Sequence, residues 1–234
     1  MKNLYVILLF IFAAISGTAQ AAERKFSISS FEDVRIIGSV NVFISTGKGP
    51  SAKAEAQNRE ILDRISLRKN GSQLVVSVKS RTNVGRFSED GPITVYLSSY
   101  DVKKITHAGS GAISLDKLGG SEPLARLGGF GVLSINDVDG DRLTVMMQGG
   151  GHLTIAGQVK KAQIKLLGSS NFDGSQLTVG TLDLIQRGPA SSHIFVEKEA
   201  NISNSGTGRI QIDGRPNCSV KSGGSAEIIC NPKR

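Results

Sequence analysis

The densest cluster of acidic side chains is Asp137-Val138-Asp139-Gly140-Asp141. Alternating carboxylates supply hard oxygen ligands of the kind calcium prefers. The calcium-loop pattern asks for glycine after the third acid, where Arg142 stands, and for glutamate at the twelfth position, where Gln148 stands. A solvated turn accounts for such a run equally well, so Asp137, Asp139 and Asp141 are kept only as a candidate cation site, and no cofactor is expected. The three histidines, His107, His152 and His193, fall at different places in the repeat described below, which argues against a histidine ladder. No Gly-x-Ser-x-Gly marks a strand-to-helix elbow, so Ser-His-Asp chemistry has no footing. The two cysteines, Cys218 and Cys230, sit twelve residues apart without a nearby histidine and without C-x-x-C spacing. In an oxidising compartment their expected chemistry is a local disulfide rather than a metal or redox pair.

The elements that must position these residues emerge when the chain is laid out on its glycines. With Gly38, Gly109, Gly129, Gly149, Gly168, Gly188, Gly206 and Gly224 as origins, the steps from Gly109 onward are 20, 20, 19, 20, 18 and 18 residues. Four and six residues after the origin lie apolar pairs such as Val42 and Ile44, Ile113 and Leu115, Leu133 and Ile135, Leu153 and Ile155, and Ile210 and Ile212. The Gly168 copy keeps Phe172 but has Gly174 in the second slot, and the Gly188 copy matches at Ile194 and Val196 if two residues are inserted. Four residues before each origin the side chain is again apolar, from Val34 to Val220. Alternation at period two buries one face of a strand, and glycine between the arms permits a sharp corner or a close backbone approach.

A repeat near twenty residues describes coils that cannot bury their inner face alone and must stack. The fold expected is all-β: a right-handed parallel β-solenoid of about seven short coils, roughly 34 Å tall at the spacing of paired strands. Between Gly38 and Gly109 the period fails. There Ile65-Ser66-Leu67 and Leu74-Val75-Val76-Ser77-Val78 flank Asn70-Gly71, a hairpin signal; residues 58–64 suit a short helical turn, and residues 93–97 a further strand. This β-rich segment is expected to cap the N-terminal end. Residues 1–21 read as a signal peptide: Lys2, an apolar run over residues 4–15 that is too short to span a bilayer, and a small-x-small site at Ala19-Gln20-Ala21. Residues 22–104 then hold the first coil strand and the inserted cap, and residues 105–234 the coils, with no transmembrane span expected after signal removal.

Two rows within this frame could act as sites. Outward slots five after the glycine hold Ser114, Ser134 and Thr154 in successive coils, a flat hydroxyl row that could bind a repetitive polymer or simply be solvated. Two before the glycine, the inward slot reads Ile36, His107, Leu127, Met147 and Leu166, then turns polar at Gln186, Asn204 and Ser222. A hydrogen-bonded internal ladder is the expected arrangement, with a polar cleft as its alternative.

The Gly109-Ser110-Gly111 corner, its variants Gly149-Gly150-Gly151 and Gly206-Thr207-Gly208, and the opening Phe31-Glu32-Asp33-Val34 resemble the head GIN domain of putative autotransporter adhesins, over roughly residues 30–230. That resemblance implies an exported β-helical domain and transfers no catalytic residues. The net charge is +8, but its lysines and arginines are dispersed, which with export argues against nucleic acid. The expected function is a noncatalytic binding or adhesion domain in the periplasm or at the cell surface, with an envelope glycan or surface protein as partner. A lyase- or hydrolase-like glycan enzyme on the same scaffold, or a purely structural envelope protein, are the alternatives. The scarcity of aromatic residues and the absence of tryptophan count modestly against a sugar-binding cleft, which usually wants aromatic platforms.

Overall fold

A computed structural model describes residues 22–79 and 91–230. The apolar run and small-x-small site of the expected signal peptide lie outside the described residues. The chain opens with β1 (Ala22–Phe26), β2 (Asp33–Ile37), β3 (Asn41–Ser45) and β4 (Ser51–Ala56). One helical turn, α1 (Arg59–Leu62), follows, started by Asn58, whose side chain accepts from the Ile61 N–H. The antiparallel pair β5 (Ile65–Asn70) and β6 (Gln73–Val78) turns through Gly71, with φ +58°, and Ser72. Then come β7 (Thr94–Ser98), β8 (Lys104–Gly109), β9 (Ala112–Leu118) and β10 (Leu124–Gly129). The remaining strands are β11 (Val132–Gly149), β12 (His152–Gly168), β13 (Asn171–Arg187), β14 (Ser191–Asn204), β15 (Arg209–Gly214), β16 (Asn217–Ser222) and β17 (Glu227–Cys230).

These strands form a parallel β-solenoid of about six turns, close to the seven coils expected. Each turn has two arms meeting at a glycine. The arms before the corner stack as β6, β2, β8, β10, the C-terminal halves of β11 to β14, and β16. The arms after it stack as β7, β3, β9, the N-terminal halves of β11 to β14, β15 and β17. β6 and β7 thus continue both ladders on the far side of β2 and β3, out of sequence order. Antiparallel strands flank this end, β5 on β6 and β4 on β7, with β1 on β4.

The corner glycines answer to sterics. Gly38, Gly129, Gly149, Gly168 and Gly188 have φ between +89° and +110°. A Cβ at Gly149 would come within 2.5 Å of the Gly129 carbonyl oxygen, and one at Gly168 within 2.7 Å of that of Gly149. The coils therefore approach backbone to backbone at each corner, which only glycine allows. Inside, Val34, Ile105, Ala125, Val145, Ile164, Leu184 and Ile202 form one buried column, and Leu115, Ile135 and Ile155 belong to another. Each such Ile or Leu contributes about 1.5–3 kcal/mol relative to an exposed one.

The two irregular copies have physical reasons. A Cβ at Gly174 would lie 2.8 Å from the ring of Phe172, so that ring fills the space where other coils place Ile or Leu. The insertion expected in the Gly188 copy is not there. Ser192 takes the four-after slot and is buried, and Ile194 takes the six-after slot, paired with Ile212. Serine is tolerated inside because its hydroxyl donates to Gln186 Oε1 at 2.9 Å.

Candidate binding face

The outward slot five residues after each corner is where the coils place their most regular surface. Ser114 on β9 pairs with Ser134 on β11, and Ser134 with Thr154 on β12. Parallel in-register pairing sets these hydroxyls about 4.8 Å apart. The row continues in both directions. Toward the N-terminal end Ser114 neighbours Phe43 on β3, which neighbours Tyr96 on β7. Toward the other end Thr154 neighbours Asp173, then His193, then Gln211, then Ile229 on β17. Nine strands therefore present one lane of side chains.

The two ends of this lane differ in chemistry. The Phe43 and Tyr96 rings stack with centroids 5.6 Å apart and remain 49% and 38% exposed. Lys53 holds its ammonium 5.0 Å from the Tyr96 ring centre and pairs with Glu55 at 2.6 Å. Phe43 thus stacks on Tyr96 on one side and neighbours the short Ser114 on the other, and half of it stays exposed. At the opposite end a shallow hollow of about 240 Å³ is lined by His152, Asn171, Asp173, His193, Arg209 and Gln211. The Ser175 side chain and N–H hold the Asp173 carboxyl below the usual range, with His193 and His152 adding to the effect. His193 Nε2 meets Asp213 Oδ2 at 2.5 Å, and this bond lowers the Asp213 carboxyl likewise. His152 Nε2 reaches Thr154 Oγ1 at 3.1 Å.

The remaining candidates from the sequence fall elsewhere. Lys117 sits 3.1 Å from Asp137 and 3.7 Å from Asp139, while Lys160 sits 2.7 Å from Asp141. Hydrogen bonds to these carboxylates raise both lysines above their ordinary value. The three acids thus face lysines, and among the described residues no group of three His, Cys, Asp or Glu is placed to hold a metal ion. Gln186, Asn204 and Ser222 stand in one register column, but only Gln186 and Asn204 are buried; Ser222, on the last strand of its ladder with no coil beyond it among the described residues, is exposed rather than inward as expected. The Gln186 amide donates to the Ala190 carbonyl at 2.7 Å, Asn204 bonds both the N–H and the carbonyl of Gly206, and Asn204 donates to Ser222 at 3.0 Å. In the same column His107 is fully buried, with Nε2 3.2 Å from the Gly111 carbonyl and Nδ1 without a partner. Cys218 and Cys230 form a disulfide joining β16 to β17, with Cα atoms 6.6 Å apart. Phe43, Asp173, His193, Gln211 and Ile229 were missed as members of the lane. The signal was available for all five, since each stands five residues after its glycine; Tyr96 has no such mark.

Comparison with known proteins gives a consistent picture. The family described as "Putative auto-transporter adhesin, head GIN domain" matches residues 30–216. A search of curated proteins finds no match. Among solved structures, a putative adhesin from Bacteroides fragilis superposes with a TM-score of 0.74 at 15% identity, covering 90% of this chain and 97% of that one. A putative lipid binding protein from Parabacteroides distasonis gives 0.69 at 16% identity, covering 93% and 98%. A putative adhesin from Parabacteroides merdae gives 0.63 at 14%, covering 91% and 96%. At these identities the likeness is one of fold. No helix among the described residues is long and apolar enough to cross a membrane.

Proposed function

Taking as premise that the chain belongs to the putative auto-transporter adhesin, head GIN domain family, we propose that it is an exported, noncatalytic binding or adhesion domain of the cell envelope. Its partner is an envelope glycan or a surface protein, and its contact surface is the outward lane through Ser114, Ser134 and Thr154. The observation carrying this reading is the register of that lane. Nine strands align their outward side chains in one row, and a surface of constant spacing matches a partner that is itself repetitive. Export is supported by the signal-like first 21 residues.

The test is direct. Purified protein is applied to arrays of envelope polysaccharides and of cell-surface proteins. Replacing Ser114, Ser134 and Thr154 together by lysine changes only outward positions, so binding is expected to disappear while the melting temperature holds. Undiminished binding removes this face as the contact surface, and shortening of a bound polymer during incubation overturns the noncatalytic reading.

A further inference from the structure

The two ends of the lane are chemically complementary to one kind of partner. An exposed aromatic ring offers an apolar platform, and Phe43, stacked on Tyr96 and flanked by the short Ser114, is 49% exposed. Sugar rings carry an apolar C–H face that packs on such a platform and a rim of hydroxyls that needs donors and acceptors. The far end supplies these: the Asp173 carboxylate, ionised over the neutral range, with the Asn171 and Gln211 amides and the His152 and His193 imidazoles around one hollow. A carboxylate accepting from hydroxyls makes the stronger, charge-assisted type of hydrogen bond. Between the ends only the short side chains of Ser114, Ser134 and Thr154 project, so nothing bulky interrupts a ligand lying across the strands.

Charge narrows the class. Beside the lane Lys53 pairs with Glu55, and Arg209 with Glu227 at 3.8 Å. The lane positions themselves carry no lysine or arginine to hold a polyanion, and an acidic polymer would meet the Asp173 carboxylate. A protein partner would be expected to find an apolar centre, whereas here the aromatic pair sits at one end and hydroxyls occupy the middle.

We propose that this lane binds a neutral polysaccharide in extended form, running across the strands from the Phe43–Tyr96 platform to the Asp173 hollow. The proposal rests on the reading of the lane as the contact surface and adds the ligand class, its direction and its two anchors. From Phe43 to Asp173 is four strand steps, roughly 19 Å at the spacing of paired strands. A short fragment can engage one anchor at a time. A fragment long enough to touch both gains the second contact intramolecularly, as linked binding sites do.

The experiment screens the protein against mannan, xylan, mixed-linkage β-glucan and a soluble chitin derivative, with alginate and surface proteins alongside, and then titrates fragments of increasing length from the polymer that binds. Affinity is expected to climb by on the order of a hundredfold as fragments reach the second anchor, and to level off beyond that length. Phe43→Ala and Asp173→Asn should each flatten the climb. Ser134→Lys, which obstructs the lane between the two anchors, should abolish the advantage of long fragments. All three positions face outward, and melting temperatures verify the fold. A neutral polymer that binds with no dependence on length, or indifferently to all three substitutions, overturns the proposal. A preference for alginate or for a surface protein also overturns it while leaving the protein a binding domain. Binding to none of the probes removes the broader reading as well.

Discussion

Gly149→Ala tests the reasoning about the solenoid where it is most exposed. Gly149 has φ +110°, a conformation that L side chains rarely adopt. Holding a residue with a Cβ in such a region costs about 1–3 kcal/mol. The new methyl would also stand 2.5 Å from the Gly129 carbonyl oxygen. Relieving that overlap means separating two coils at the corner, where the same oxygen accepts from the Gly150 N–H at 3.0 Å. Weakening this bond adds about 1 kcal/mol. The combined loss is about 2–4 kcal/mol, which in a domain of this size lowers the melting temperature by roughly 5–15 °C. Gly223→Ala is the matched control, because its Cβ would meet nothing within 4 Å and its φ is not positive. Thermal unfolding followed by far-ultraviolet circular dichroism compares the two. If Gly149→Ala melts as the parent does, the corner is not the steric lock described, and the repeat of glycines needs another cause.

Two further outcomes follow from the same structure. Replacing Cys218 and Cys230 together by serine should lower stability by up to about 3 kcal/mol, and amide exchange should rise first in β16 and β17, which among the described residues pair along one edge only; unchanged exchange there would refute a role in holding that end. Burial lowers the His107 pKa below its ordinary 6.5, so the folded protein keeps this ring neutral while the unfolded chain takes up a proton. Its contribution is therefore complete above about pH 6.5 and is lost as pH falls below it, and His107→Leu should flatten chemical-denaturation stability between neutral pH and about pH 5; a variant with the parent's slope would refute this.

Much of the architecture was legible because it rests on local rules. Period-two burial and the steric freedom of glycine act within a few residues, so each coil announces its inward slots and its corner in its own stretch of chain. The same parity brought Cys218 and Cys230 to one side of the final coil, and Asn70-Gly71 marked its hairpin. The matching of Ser114 with Ser134 and Thr154 followed too, since one coil laid on the next carries each slot to its own copy.

Other features were decided by which distant segments became neighbours. Tyr96 joins the lane because β7 docks beside β3, a pairing across more than fifty residues that no repeat encodes. Gln186 accepts Ser192 into the core only because the chain returns past the Gly188 corner and brings the two within hydrogen-bond distance. Phe172 displaces a neighbouring aliphatic side chain because its ring reaches across the Gly174 site, a matter of volume that a pattern of apolar positions does not measure. The carboxylates of residues 137–141 looked alike in sequence, and Lys117 and Lys160, placed beside them by stacking, turned them into ion pairs. Sequence by itself determined the repeating unit, because that depends on the preferences of adjacent residues. The tertiary structure alone decided that Tyr96 joins the lane, that Ser192 is held inside by Gln186, and that Lys117 and Lys160 meet the acids of residues 137–141, because these depend on contacts made only once the coils are stacked.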